Sequence, residues 1–164
     1  MSHRVRGLLT ELRPANSADL ETLVTWLNDP AIYRWWGGNP ITPEVVRQKY
    51  AGARSPAVES FIIEEGGIPV GYIQSCMSSE SSCGIDIFLA ASGQGRGLGT
   101  DAVRALAEFL IGVEGCQVVK ADPSPDNVRA IGFWQRSGFI PSGRITEEGN
   151  LEFVFNPSGT RFLS

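Results

Sequence analysis

Four glycines crowd one short stretch of this chain, Gly93, Gly95, Gly97 and Gly99, and what flanks them constrains the fold most. Before them, residues 84–89 alternate as a strand does, with Ile85, Ile87 and Leu89 on one face and Asp86 and Phe88 on the other. After them, Val103, Leu106, Ala107, Leu110 and Ile111 recur at helical spacing. A strand that enters a helix through glycines converges successive backbone N–H groups, and the positive helix end reinforces them, so the turn suits an anion. Glycine also lets the backbone approach phosphate oxygens closely. Two phosphate loops are excluded by spacing. A Walker sequence needs a lysine that Gly99-Thr100 lacks, and the four glycines do not read G-x-G-x-x-G. The remaining pattern is Q-x-x-G-x-G over Gln94, Gly95, Arg96, Gly97, Leu98 and Gly99.

The rest of the chain supplies the other elements. Residues 8–13 read as a first strand. Ser17 can cap a helix carrying Leu20, Leu23, Val24 and Leu27, which Asp29-Pro30 ends. Pro43 opens a second helix over 42–53. Residues 61–65 and 70–77 read as strands joined by a Gly66-Gly67 hairpin turn. After the long helix come a short strand over 117–121 and a helix capped by Asn127, with Ala130, Phe133 and Trp134 inside and Gly138 closing it. Residues 139–145 and 151–155 make a last hairpin about Gly149. Mixed strands and helices, with mostly antiparallel neighbours, predict an α/β or α+β three-layer fold.

At 164 residues one domain is expected, over 8–164, with 1–7 as a flexible tail. No run of 18 apolar residues exists to span a membrane, and residues 1–7 lack the apolar core of a secretory signal, so a cytoplasmic protein is expected. The three cysteines, Cys76, Cys83 and Cys116, form no C-x-x-C pair and are odd in number, so no disulfide framework is expected. The single histidine, His3, removes histidine-based nucleophilic designs and metal sites. A net charge of −4 argues against a nucleic-acid partner and suits a cationic substrate.

The Q-x-x-G-x-G segment resembles the acyl-CoA loop of the GNAT acetyltransferases, and the element order from residue 60 onward matches that fold. Four further segments resemble the bacterial aminoglycoside 6'-N-acetyltransferases: Trp35-Trp36-Gly37-Gly38, Gly71-Tyr72-Ile73-Gln74-Ser75, Gly84-Ile85-Asp86, and the long run from Asp122 to Ile131, DPSPDNVRAI. The resemblance implies a mostly antiparallel twisted sheet of six to seven strands flanked by about four helices. It implies acetyl-CoA as co-substrate and no metal. The cofactor would be held by Ile87, Phe88, Leu89, Gln94, Gly95, Arg96, Gly97, Leu98, Gly99, Thr100 and Asn127. It implies Asp86 as candidate base and substrate contact, Asp122 as a second acidic contact, and Trp35, Trp36 and Gln74 around a cationic amine. A polycationic substrate calls for carboxylates, and an attacking ammonium must first lose a proton. Plainer roles stand beside these: a solvated strand carboxylate for Asp86, a turn aspartate before proline for Asp122, core packing for one tryptophan and an N-cap for Asn127.

Two departures stand out. Trp134 occupies the place of the tyrosine proposed in relatives as general acid, and an indole cannot usefully release its proton. The stretch 76–84 is shorter than in close relatives. A siderophore-type or peptide amine is the alternative acceptor, and a non-catalytic acyl-CoA- or drug-binding module the alternative class. The expected assembly is a monomer or homodimer.

Overall fold

The structure, a computed structural model, describes residues 3–157. Eight strands make one sheet: β1 (Val5–Arg6), β2 (Glu11–Pro14), β3 (Val58–Glu65), β4 (Ile68–Ser79), β5 (Ser82–Leu89), β6 (Val118–Ala121), β7 (Phe139–Ile145) and β8 (Leu151–Phe155). Their spatial order is β1-β2-β3-β4-β5-β6-β8-β7, and every neighbouring pair is antiparallel except β5 with β6. Five α-helices accompany them: α1 (Leu20–Leu27), α2 (Pro30–Tyr33), α3 (Pro43–Tyr50), α4 (Leu98–Gly112) and α5 (Val128–Arg136). The expected mixed, mostly antiparallel plan is therefore present, with a strand and a short helix more than anticipated.

Alternation along the central strands sends side chains to two cores. Phe61, Ile63, Ile73 and Ile85 join Val103, Leu106, Ala107 and Leu110 of α4 and Trp134 of α5 in one apolar cluster. Ile62, Tyr72 and Phe88 face the other way, onto Leu23 and Leu27 of α1 and Val46 of α3. Period-2 strands packed against period-3.6 helices on both faces give the three layers. The β3–β4 turn is tight because Gly66 and Gly67 both take positive φ, +58° and +82°, as a two-residue hairpin of this twist requires.

Three expectations are corrected. Residues 8–13 are not one strand: Leu8 and Leu9 sit exposed in the turn between β1 and β2, and Val5–Arg6, read as tail, pairs with Glu11 and Leu12. The apolar pair misleads because its turn is held from far away. The Asp101 carboxylate of α4 accepts from the N–H groups of Leu8, Leu9 and Thr10 at 2.9, 3.0 and 2.9 Å, and from Thr10 Oγ1 at 2.7 Å. The second helix ends at Tyr50 rather than at residue 53. Cys83 and Cys116 form a disulfide, leaving Cys76 as the free third thiol. The parallel pairing of β5 with β6 places Cys83 beside Val119, and the Cys116 N–H bonds Leu110 O at 2.9 Å, so the fold brings the two cysteines together across 33 residues without any local motif.

Candidate active site

The glycine loop does what its composition requires. Gly95 and Gly97 adopt φ of +78° and +77°. Gly97 is the N-cap of α4, and no side chain caps the helix there. The helical ladder starts with Asp101 N–H to Gly97 O at 3.1 Å, so the N–H groups of Leu98, Gly99 and Thr100 lack intrahelical acceptors. Leu98 is buried, so it offers backbone rather than side chain to any ligand. The acidic residue of this first turn, Asp101, is committed to the N-terminal hairpin, so its carboxylate does not occupy the free N–H groups at the helix start. Only glycine fits at two points: a Cβ on Gly93 would lie 2.6 Å from Val70 O, and one on Gly99 would lie 2.9 Å from Phe133 Cε1. Arg96 is tied to Glu65 and donates to Ser92 O at 2.7 Å. Gln94 closes the loop onto the strand, donating to Leu89 O at 3.2 Å and accepting from Arg129 at 3.4 Å. Thr100 Oγ1 meets Ser137 Oγ at 3.1 Å. Asn127 caps α5 by accepting from Ala130 N–H at 3.1 Å, which leaves its amide nitrogen available.

Strand β5 leads from this loop to a cleft. It pairs with β6 only through Ser82, Cys83 and Gly84, so beyond Gly84 its outer edge has no partner strand among the described residues. Which groups face that edge follows from the ladder. Ala90 N–H bonds Val70 O at 2.9 Å, making 90–70 a hydrogen-bonded pair. By antiparallel alternation Phe88 and Asp86 turn their backbone groups to β4, while Ile87 and Leu89 turn theirs to the open edge. The bond from Gln94 to Leu89 O agrees with that phase. The Phe88 side chain is buried in the aromatic cluster around Tyr72, on the face opposite Ile87.

Asp86 lies opposite Gln74 across β4–β5 and accepts from Gln74 Nε2 at 3.2 Å. Gln74 Oε1 in turn receives Tyr72 OH at 2.8 Å and Arg54 Nη2 at 3.3 Å, and Tyr72 OH also contacts Ser60 Oγ at 2.8 Å. Burial pushes the Asp86 carboxyl above the usual carboxylate range, against the Gln74 hydrogen bond and the Arg54 charge. Asp122 directly follows β6. Although much of its surface is exposed, partial desolvation pushes its carboxyl up to about 6, helped by the negative charges of Asp86 and Glu148. Burial, then Asp86, also raises the Cys76 thiol. The negative charge of Asp86 is therefore felt at Asp122, across the mouth where β5 and β6 part.

The two tryptophans divide. Trp36 is half-buried, edge-on to Phe88 and Tyr72 at 5.0 and 5.9 Å, and its indole donates to Tyr50 OH at 3.0 Å. Trp35 is 45 % exposed, with the Arg34 guanidinium 5.1 Å from its ring centre, outside that cluster. Trp134 is buried between Phe133 and Phe139 in the α4-side core. The short 76–84 stretch is a tight hairpin in which Ser79 pairs with Ser82. Two surface recesses, of about 450 and 550 Å³, lie by the β1–β2 turn and by the Cys83–Cys116 end of α4, away from the open edge of β5. Arg54, Tyr72, Ser60 and Cys76 were not singled out as site residues in the sequence. Tyr72 and Cys76 flank Gln74 at period 2, a signal that was there to use, whereas Arg54 sits in an irregular loop with none.

Residues 15–146 match the acetyltransferase (GNAT) domain family. The chain belongs to the GNAT family. A GNAT relative, the aminoglycoside N(6')-acetyltransferase type 1 of Klebsiella pneumoniae, is 36 % identical over 152 residues, covering 82 % of this chain and 76 % of that protein. Among solved GNAT structures, aminoglycoside acetyltransferase AAC(6')-Ib with ribostamycin and coenzyme A superposes with a TM-score of 0.83 at 32 % identity, covering 93 % of this chain and 96 % of that one. The same enzyme with coenzyme A and kanamycin gives 0.80 at 32 % identity, covering 93 % and 98 %. The chain is thus an acetyl-CoA-dependent N-acetyltransferase of the GNAT fold. No helix of the described residues is long and apolar enough to cross a membrane, and no group of three or more His, Cys, Asp or Glu among them is placed to hold a metal.

Proposed function

We propose that this GNAT enzyme acetylates the 6'-amine of aminoglycoside antibiotics, with Asp86 taking the amine proton and Asp122 holding the cationic substrate. The observation that carries the reading is the placement of both carboxylates at the mouth between β5 and β6, beside the unpaired backbone edge of Ile87 and Leu89. Relatives named for this reaction, and a relative's complexes with ribostamycin and kanamycin, support the choice of acceptor.

The cradle fits acetyl-CoA: a positive helix end, two left-handed glycines and a point where any Cβ would clash with Phe133. The co-substrate supplies an activated acetyl thioester. The N–H groups over 95–100 take the pyrophosphate, and the Arg96 and Gln94 side chains hold the loop in shape around it. The free amide nitrogen of Asn127 adds a donor beside the cofactor arm. The outward N–H of Ile87 or Leu89 polarises the acyl carbonyl. Asp86, held by Gln74 and raised by burial, accepts a proton from the substrate ammonium directly or through water. Trp36 forms an apolar wall beside it, and exposed Trp35 extends the rim. No side chain is assigned as acid for the departing sulfur, because Trp134 is locked in the core.

The proposal places the enzyme in the cytoplasm, acting on a small molecule rather than nucleic acid or membrane, as a monomer or homodimer. Purified protein with acetyl-CoA and kanamycin should release free thiol and yield a singly acetylated drug by mass spectrometry. Binding of acetyl-CoA with no thiol release from any aminoglycoside would reject the acceptor.

A further inference from the structure

Asp86 presents a puzzle of charge. It is a half-buried carboxylate with no ion-pair partner among the described residues, in a site meant to receive a cation. A direct salt bridge would keep it ionised but would occupy the position the ammonium needs. The cation whose charge acts on it stands one side chain further back. Arg54, in the loop between α3 and β3, is anchored by its Nε to Lys49 O at 2.9 Å and packs over the Tyr50 ring at 5.8 Å. Its Nη2 reaches Gln74 Oε1 at 3.3 Å, and Gln74 Nε2 reaches Asp86 at 3.2 Å. The carboxamide orientation is forced: a carboxylate only accepts, so Nε2 faces Asp86, and Oε1 must then face Arg54 and Tyr72 OH. A single hydroxyl donates once, so Tyr72 donates to Gln74 and accepts from Ser60 Oγ.

We propose that Arg54 is a positioning residue for the acetyl transfer: from one amide away it locks the Gln74 carboxamide toward Asp86 and keeps Asp86 charged while leaving the ammonium position open. The proposal rests on Asp86 acting as proposed above. The charged and titratable groups around Asp86 are few. Arg54 from the loop favours its charge, whereas Asp122 after β6 and Cys76 on β4 are raised by it; Tyr72 on β4 is held neutral by burial. Glu148 and Glu152 bear on Asp122 rather than on Asp86. Removing Arg54 therefore removes the one group of that set opposing the burial of the Asp86 charge.

Two readouts test this. The first is a carbon-13 titration of the Asp86 carboxyl in the free protein, for the parent, R54M and R54K. R54M should raise the Asp86 inflection by about half to one pH unit, less than the shift of a direct pair because an amide intervenes, and R54K should restore most of it. The second is the pH profile of kcat/KM, in which the acid limb should move with the titration. Below that limb R54M should fall about 3- to 10-fold, with the KM for acetyl-CoA unchanged. An Asp86 inflection identical in parent and R54M overturns the proposal, as does a loss in R54M that R54K fails to rescue. Because the titration needs no turnover, it separates the two readings: a parent protein inactive on every amine rejects the acceptor, while an unmoved titration rejects the role of Arg54 alone.

Discussion

Replacing Asp86 with asparagine isolates its charge from its shape. The D86N side chain keeps the volume, and its carbonyl oxygen can accept the Gln74 Nε2 bond that spans 3.2 Å. The fold should not suffer. Burial raises the Asp86 carboxyl, so its stabilising contribution is present at low pH and is lost as pH rises through its folded value. Once ionised, the buried charge opposes folding, so D86N should be at least as stable as the parent in chemical denaturation. Catalysis should suffer twice. Loss of a general base costs about 10²- to 10⁴-fold. Loss of a charge-assisted bond to the substrate ammonium costs about 1.5–3 kcal/mol. Because both act on the same amine, the terms overlap, and a fall in kcat/KM of about 10³-fold is expected. The cofactor cradle lies beyond the end of β5, so the Kd for acetyl-CoA should stay within about twofold of the parent. Thiol-release kinetics with kanamycin, and calorimetry with acetyl-CoA, measure the two quantities. A D86N enzyme keeping a third or more of the parental kcat/KM would remove Asp86 from the mechanism.

Other outcomes follow from the same geometry. The Asp122 carboxyl titrates near 6, neutral below and anionic above, so the KM for a polyamine drug should fall as pH rises through about 6, and D122N should abolish that inflection. G99A places a Cβ 2.9 Å from Phe133 and 3.1 Å from Leu89; overpacking should cost about 1–3 kcal/mol in urea denaturation and weaken acetyl-CoA binding measurably. The tryptophans should part company, W36A losing about 2–4 kcal/mol of stability because it empties a place among Tyr50, Tyr72 and Phe88, and W35A staying within about 0.5 kcal/mol because its ring is half in solvent.

What was legible in the sequence was local. The Q-x-x-G-x-G loop, the Gly66-Gly67 turn and the opposed faces of 84–89 each depend on residues a few positions apart, and each stands in the structure. The long-range features were silent. Leu8 and Leu9 look like strand because nothing nearby announces that Asp101 will hold them in a turn. Cys83 and Cys116 meet through a parallel strand pair, which no spacing rule anticipates. The Gln74–Asp86 bond is a register contact between neighbouring strands, so alternation could have located it. Arg54 could not be found that way: its place beside Gln74 depends on the path of an irregular loop. Trp134 shows the reverse, a residue notable in sequence that the fold hides in the core.

The regiochemistry of transfer tests the account most directly. A matched pair of aminoglycosides, alike except for an amine or a hydroxyl at the 6' carbon, should be offered with acetyl-CoA at pH 7.5, above the Asp122 inflection near 6. Thiol release with the amine alone, and acetylation at that nitrogen, is the predicted result. Equal release with both drugs, or acetylation at another nitrogen, would contradict it.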